Sequence, residues 1–369
     1  MKYWRGYLTA AILAACTWAL REFARGHSAL VDMIYPYVTR MAQNFMVDWS
    51  GSVDYCMWQV LLLVLLALAV ASLVLMVVLK WNFFQWFGWI CATVTAVVFL
   101  NTAIYGLNEF AGPLAEDVRL EETDYTITEL EEAAVYYREQ ANALADRVER
   151  DGNGDVVFAD FDTLAEQAAD GFETLVYEES EPVFAGSLVP VKKLGWENRF
   201  TARGITGVTV GLTGEAAVNP QTPAVMQPYA MCKEMVRRMC IIIERDANFG
   251  AYLSCMANED LQFQYSGALM GYRHCLNALK TLDETTGAGA AARVAQEENE
   301  NLRHDRTACD AFFGERKTEN EEVSGLLTSW HIQEIVLPSQ VVEEEGFDPM
   351  DKTQVDLGYQ ESTDEEDAG

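Results

Sequence analysis

Residues 228–249, PYAMCKEMVRRMCIIIERDANF, carry most of the information about the architecture and chemistry of this chain. Their apolar positions recur at helical spacing, and Pro228 suits a first helical turn. We therefore predict a helix over residues 229–243. Lys233 and Arg237 then lie one turn apart on one face of that helix, with Glu234 beside them.

The frame KEMVR at residues 233–237 has the spacing of the metal-binding helix His-Glu-x-x-His. In that motif the two histidines bind zinc and the Glu is the general base. Here the Glu is present as Glu234, and both histidine positions are cationic. A Lys ammonium has no lone pair, and an Arg guanidinium does not lose its proton in a protein. The frame therefore argues against metal-dependent hydrolysis.

The sequence on either side makes this comparison more specific. GITG at residues 204–207 and GLTGEAAVN at residues 211–219 precede the frame, and ERDANF at residues 244–249 follows it. This order resembles a bacterial membrane-protein family, the domain of unknown function 3810, from about residue 1 to about residue 280. Members of that family have three N-terminal membrane spans and a zincin-like soluble domain with an intact His-Glu-x-x-His motif.

The resemblance implies a set of site residues. Glu234 takes the position of the catalytic base, and Lys233, Arg237 and Glu244 take the metal-ligand positions. The implied cleft is lined by Glu215, Asn219, Asp246 and Asn248. Zinc is the cofactor expected in the family, and we expect it to be lost here. Cys240 stands where the family usually has Gly, and Asp246 replaces a Glu.

We expect an α+β fold that is mainly helical, with three transmembrane helices followed by a zincin-like soluble domain with a small β element. The spans fall at about residues 7–24, 57–79 and 83–107, and the last two are uncharged and close enough to form a hairpin. The first could instead be a signal sequence, and LAAC at residues 13–16 matches a lipobox that would lipidate Cys16. We expect a linker at residues 113–127, the soluble domain at 128–340, and an acidic tail at 341–369 that is disordered at its end.

Local signals predict the elements of the soluble domain. Thr128 and Glu131 form a capping box that begins a helix ending near residue 150. A second helix is expected over residues 160–176, and strands over 188–193 and 208–213. Further helices are expected over 249–257 and 267–282, whereas 284–310 suits either a helix or a mobile segment.

A weak calcium site is a further candidate. Asp151, Asn153, Asp155 and Asp162 fall at the first, third, fifth and twelfth positions of an EF-hand loop. Val156 stands at the sixth position, where the loop requires Gly, and this weighs against calcium. The alternative is a solvent-exposed stop between two helices.

The charge of the chain is concentrated after the predicted spans. Residues 1–112 hold six Lys/Arg and five Asp/Glu, which leaves 20 basic and 51 acidic side chains, a net charge of −31, for residues 113–369. So acidic a domain repels nucleic acid, which we exclude as a partner. The predicted location is the bacterial plasma membrane, in a multi-pass arrangement with the lipid bilayer as a partner. Basic residues are divided equally between the two sides, so the positive-inside rule does not decide the topology. An acidic domain with very few basic residues near the last span suits the extracytoplasmic side.

Two explanations of the charged frame remain open. Lys233 and Arg237 either neutralise Glu234 and Glu244 in place of zinc, or they form ordinary surface pairs worth a few tenths of a kcal/mol. The leading functional hypothesis is a membrane-anchored, non-catalytic pseudopeptidase that binds a peptide or a membrane-protein partner. One alternative is a membrane-bound zinc metallopeptidase with non-standard ligands, such as His274, His304 and Glu244. The other is a structural membrane protein with a vestigial cleft.

Overall fold

A computed structural model describes residues 4–121, 124–317, 354–356 and 360–361, and this part of the chain is mainly helical. Its helices are α1 (Arg5–Gly26), α2 (Ser28–Ser50), α3 (Met57–Val78), α4 (Phe83–Ile104), α5 (Leu114–Asp117), α6 (Ile127–Ala145), α7 (Phe161–Tyr177), α8 (Glu197–Thr201), α9 (Gln227–Arg238), α10 (Glu244–Ala257), α11 (Leu261–Thr286), α12 (Ala290–Gln296) and α13 (Glu300–Lys317). Its strands are β1 (Leu120–Glu121), β2 (Asp124–Thr126), β3 (Lys192–Lys193), β4 (Gly207–Val210), β5 (Glu215–Val218), β6 (Gln354–Asp356) and β7 (Gln360–Glu361).

Helices α3 and α4 are long and apolar enough to cross a membrane, each with 22 uncharged residues. A link of only four residues, 79–82, joins them. The indole of Trp86, near the start of α4, donates a 2.9 Å hydrogen bond to Ser72 in the second half of α3. The two helices therefore form the hairpin that the sequence predicts.

Helix α1 packs along α4, and the two run in the same direction. Near their first turns, a Cβ placed on Gly6 would lie only 2.4 Å from the backbone of Gly88, so both glycines are needed for this close approach. At the opposite ends, Arg21 forms an ion pair with Glu109, just beyond α4. The helix covers the first span predicted from the sequence.

Helix α2 was not predicted. It fills residues 28–50 between the first two predicted spans, and it contains Pro36. One side of α2 is buried against the soluble domain and the end of α4, whereas the other side exposes large apolar side chains.

The soluble domain is built around one apolar core. Helices α6, α7, α9, α10 and α11 pack together and bury large side chains, including Phe172, Phe184, Phe263, Tyr265 and Tyr272. Beside α9 lies a three-stranded sheet with the order β3-β5-β4, in which β5 is parallel to β3 and antiparallel to β4. All four residues of the central strand β5 are buried, and the edge strand β4 contacts α9. This packing brings the sheet onto the helix that carries the charged frame.

Several predicted boundaries are wrong. The residues predicted as a linker contain α5, β1 and β2. The capping box of α6 uses Thr126 and Glu129 rather than Thr128 and Glu131, because the sequence TITELE offers two overlapping boxes. Helix α6 then ends at residue 145 instead of 150. Residues 284–310 are largely helical, which is one of the two alternatives that the sequence left open.

The predicted tail lies mostly outside the described residues. The exceptions are β6 and β7, which pair antiparallel with β2 and β1.

Candidate functional site

Helix α9 carries the charged frame and ends earlier than predicted. Pro228 lies in its first turn, and the helix stops at Arg238 rather than at residue 243. Cys240 follows with φ +75°, the left-handed conformation that normally calls for glycine after a helix. The reversal directs the chain into α10, which begins at Glu244.

Four side chains of α9 and α10 form what we call the charge cluster: Lys233, Glu234, Arg237 and Glu244. The ammonium of Lys233 contacts one carboxylate oxygen of Glu244, and the guanidinium of Arg237 contacts the other. A second nitrogen of Arg237 lies 3.2 Å from Glu234. Two cations and two carboxylates therefore neutralise one another across the gap between α9 and α10.

The edge strand β4 covers Glu234, whose side chain is only 1% exposed. The hydroxyl of Thr209 donates to Oε2 of Glu234 at 2.7 Å and to its main-chain oxygen at 3.0 Å. A Cβ on Gly207 would lie 2.5 Å from Cγ of Glu234, so the strand approaches this closely only with glycine at that position. Glu234 thus has a donor on the strand and another on its own helix.

The residues of the charge cluster do not fit a zinc ion. Tetrahedral zinc sites use several Cys, His or carboxylate ligands, and here only Glu234 and Glu244 carry lone pairs suited to a metal. Among the residues that the structure describes, no group of three or more His, Cys, Asp or Glu is placed to hold a metal.

His274 and His304 are the alternative ligands that the sequence offers. His274 contacts the hydroxyl of Tyr229 at 3.3 Å, and His304 contacts Asp155 at 2.8 Å. Neither contact places its imidazole at the charge cluster, and His331 lies outside the described residues.

Glu215, which the resemblance places in a cleft, is buried at the start of α3. It lies on the central strand, 1% exposed, and its carboxylate accepts hydrogen bonds from the backbone N–H groups of Met57 at 2.7 Å and Trp58 at 2.8 Å. The ammonium of Lys192 donates to the same carboxylate at 2.7 Å. Glu215 therefore holds the N-terminus of α3, where its negative charge also favours the helix dipole.

The other three residues predicted to line the cleft are buried as well. Asn219 holds a turn, donating to Thr201 at 2.7 Å and accepting from the N–H of Gln221 at 3.0 Å. Asp246 accepts from the N–H of Leu114, at the start of α5, at 3.2 Å. Asn248 is 2% exposed within α10. The four residues thus make different contacts within the fold.

The calcium candidates do not converge either. Asp151 accepts from the N–H groups of Asn153 and Asp155, which closes a tight turn between residues 150 and 156. The carboxylate of Asp155 contacts His304, and that of Asp162 forms an ion pair with Lys193 at 2.7 Å. The turn is the solvent-exposed helix stop that the sequence left open as the alternative.

Three residues that support these contacts were not predicted. Lys192 is 9% exposed, Thr209 holds Glu234, and the hydroxyl of Tyr105 donates to the main-chain oxygen of Arg237 at 2.8 Å. Lys192 does leave a signal, since a lysine inside the apolar run LVPVKKL breaks the pattern of a buried strand.

The chain matches a known protein family over most of its length. A family model with the description "Protein of unknown function (DUF3810)" matches residues 31–326, about four fifths of the chain. The match begins later than the sequence resemblance and extends past residue 280, where that resemblance faded. No curated protein and no solved structure matches the chain. The chain therefore belongs to the DUF3810 family.

Proposed function

We propose that this protein is a membrane-anchored, zincin-like pseudopeptidase that does not cleave its partner. The observation that carries the proposal is the shared Glu244 carboxylate, which takes a cation from each of the two positions that hold histidine in the resembled family. In such relatives a zinc ion would supply positive charge at this point. Here Lys233 and Arg237 supply it, and the helix pair is held together without metal.

The burial of these pairs supports charge replacement over ordinary surface pairing. The side chains of Lys233, Glu244 and Arg237 are 14%, 10% and 21% exposed. By contrast, the surface pair between Lys193 and Asp162 is 50% and 72% exposed. The cluster also joins two helices, whereas a surface pair at helical spacing would stabilise only one.

Strand β4 supports a binding role. It is the edge of its sheet, and among the described strands only β5 pairs with it. An edge strand can accept an extended peptide by adding a strand to the sheet. We therefore place the binding site for a peptide, or for a segment of a membrane protein, along β4 next to the charge cluster.

The membrane module completes the proposal. We infer three spans, α1, α3 and α4, because α1 runs parallel to α4 over its length and exposes apolar side chains in the same way. The soluble domain then follows α4 on one side of the bacterial plasma membrane. The scarcity of basic residues just after α4 favours the extracytoplasmic side.

Metal analysis of the purified full-length chain tests the central claim. We expect less than stoichiometric zinc and no cleavage of casein by the natural protein. The double variant Lys233→His/Arg237→His should bind about one zinc per chain, because it restores two imidazoles facing Glu244. Adding Glu244→Gln to the double variant is the matched control and should weaken zinc binding.

Two results would overturn the proposal. The first is one tightly bound zinc per chain in the natural protein, together with casein cleavage. The second is a folded double variant, checked by circular dichroism, that binds no zinc, because the frame would then lack the geometry of a former metal site.

The topology is tested separately with a cysteine label. Glu173, exposed on α7, is replaced by Cys in a chain whose Cys16 and Cys91 are Ala, since the other six cysteines are buried. A membrane-impermeant maleimide should label this variant in intact cells. Labelling that requires cell lysis would place the domain in the cytoplasm.

A further inference from the structure

Helix α2 has two faces of opposite character along its full length. The inner face makes a series of polar contacts. Asp32 accepts from the N–H of Gly112 at 2.8 Å, and Tyr35 donates to the main-chain oxygen of Ala103 at 2.9 Å. Thr39 donates to Asn108 at 3.2 Å, and Gln43 donates to the main-chain oxygen of Gly211 at 2.8 Å. The spacing of three to four residues fixes this face against the soluble domain and the end of α4.

The outer face of α2, which we call the apolar stripe, is exposed. Its large side chains are 47% to 76% exposed, and they include Met33, Ile34, Tyr37, Met41, Phe45 and Trp49. A continuous exposed row of such residues on one helix marks an interaction surface. Of the three charges of α2, Asp32 and Arg40 make contacts on the inner face, to the N–H of Gly112 and the main-chain oxygen of Met239. Asp48 is the exposed charge, beside Trp49 at the C-terminal end of the stripe.

The position of α2 between the spans identifies what covers this stripe. Helices α1 and α4 run in the same direction, and α3 runs back against α4. The end of α1 and the start of α3 therefore lie at the same surface of the membrane. Helix α2 connects these two points over about 34 Å at 1.5 Å per residue.

Helix α2 does not run beside the spans. Its contacts with α4 come from Tyr35 and lie at the last turn of that helix. Its other polar contacts are to the segment after α4 and to the soluble domain. A helix held in this way lies along the membrane surface rather than across the bilayer.

Aromatic residues at the start of α3 indicate the same membrane surface. Trp58 lies in the first turn of α3, and its ring is 6.2 Å from that of Trp196, just before α8. A cavity of about 680 Å³ separates Leu62, Leu63 and Leu66 of α3 from residues 196–199. Tryptophan gathers where a span leaves the bilayer, so this end of α3 and the end of α2 at Trp49 mark one boundary.

We propose that α2 is an interfacial helix, with its apolar stripe embedded between the headgroups and acyl chains of the leaflet that faces the soluble domain. Such helices bury their apolar side roughly 5–10 Å into this boundary. The inference rests on α3 and α4 crossing the membrane, as in the proposed function. It adds that the soluble domain is fixed flat on the bilayer, because the inner face of α2 is bonded to it.

Spin labels in reconstituted vesicles of a zwitterionic phosphatidylcholine test this proposal. Single cysteines replace Met41 and Phe45 on the stripe, Val70 in the middle of α3, and Glu173 on α7, all in the chain with Cys16 and Cys91 replaced by Ala. The ratio of collisions with oxygen to collisions with a water-soluble nickel complex then reports the depth of each label. We expect Val70 to be deepest, Met41 and Phe45 to be shallow but within the bilayer, and Glu173 to be in water.

Each other result has a distinct meaning. Labels at Met41 and Phe45 that collide with nickel as often as Glu173 does would overturn the interfacial helix, while a deep Val70 would leave the membrane anchor intact. Labels on the stripe that neither reagent reaches would also overturn it, since a protein or a second copy of the chain would then cover the stripe. A water-exposed Val70 would instead overturn the anchor.

Discussion

Two buried carboxylates, Glu215 and Glu244, both pair with cationic side chains, but they join different parts of the molecule. Glu215 is paired with Lys192 and with two backbone N–H groups of α3, so it has main-chain partners as well as a charged one. Glu244 is held only by the side chains of Lys233 and Arg237 in the contacts described above. The first carboxylate joins the α3–α4 hairpin to the sheet, and the second joins α9 to α10.

The difference teaches that similarity to a family motif does not identify its role. The run GLTGEAAVN matches the resembled family closely, yet its Glu215 anchors α3. The frame KEMVR departs from the family, yet its side chains do converge.

The largest effect is expected from Glu215→Gln. This change leaves the buried Lys192 ammonium without its carboxylate, and breaking a buried pair in this way costs about 3–5 kcal/mol. Urea unfolding in detergent micelles measures the loss. Lys192→Met is the control: it also breaks the buried pair, but it leaves both backbone N–H groups of α3 facing carboxylate oxygens. It should cost less, because the amide in Glu215→Gln has only one oxygen for these two donors. Equal losses for the two variants would contradict the capping role of Glu215.

Glu244→Gln should have the next largest effect. It removes the charge that Lys233 and Arg237 share, and we expect a loss of about 2 kcal/mol of unfolding free energy. The matched control is Asp162→Asn, which breaks the exposed pair with Lys193 and should cost about 0–1 kcal/mol. If the two substitutions had the same small effect, the charge cluster would be an ordinary surface network.

Cys240 gives a smaller effect that concerns the end of α9. Ala and Gly both remove the thiol, but only Gly adopts φ +75° without strain. Cys240→Gly should therefore be more stable than Cys240→Ala by about 1 kcal/mol, although it buries less surface. Thermal unfolding of the two variants measures this difference. A more stable Ala variant would show that the turn into α10 is not strained.

The smallest effect concerns Asp117, a half-buried carboxyl group whose ionised form is poorly stabilised by its surroundings. Burial raises the pKa of Asp117 to about 6, and the nearby charge of Asp32 raises it further, whereas Arg40 lowers it. Because this pKa lies above the usual value, the protonated form favours folding, and that stability is lost as the pH rises through about 6. Asp117→Asn should therefore gain stability relative to the natural protein between pH 4 and pH 7. A difference that does not change with pH would show that Asp117 titrates normally.

The sequence predicted the parts of the fold that local patterns determine. Uncharged apolar runs identified α3 and α4, and the spacing of the frame placed Lys233 and Arg237 on one face of α9. Helix α2 was missed because Pro36 and the polar residues of its inner face interrupt the apolar pattern. Those polar residues make sense only with their partners, such as Gly211, which lies 168 residues from Gln43.

The role of Glu215 could not be predicted from the sequence for the same reason. Its partners in α3 lie 158 and 157 residues earlier, so no local pattern relates the carboxylate to that helix. The contact of Arg237 with Glu244 depends on the left-handed turn at Cys240, which the predicted helix to residue 243 would not allow. The contacts that were not predicted thus depend on residues far apart in the sequence or on the backbone reversal at Cys240.

The Lys192 ammonium also donates to the main-chain oxygens of Ser50 and Tyr55, at 2.8 Å and 3.1 Å. Strand β3 therefore holds the segment between α2 and α3, while the neighbouring strand β5 carries Glu215. A chain cut near residue 112 to obtain a water-soluble fragment would strip partners from both side chains and uncover the central strand. Biochemical work on this protein calls for the intact polypeptide in detergent or lipid. Residues 50–58 are bonded to the sheet, so the end of α4 is not a boundary between two independent parts.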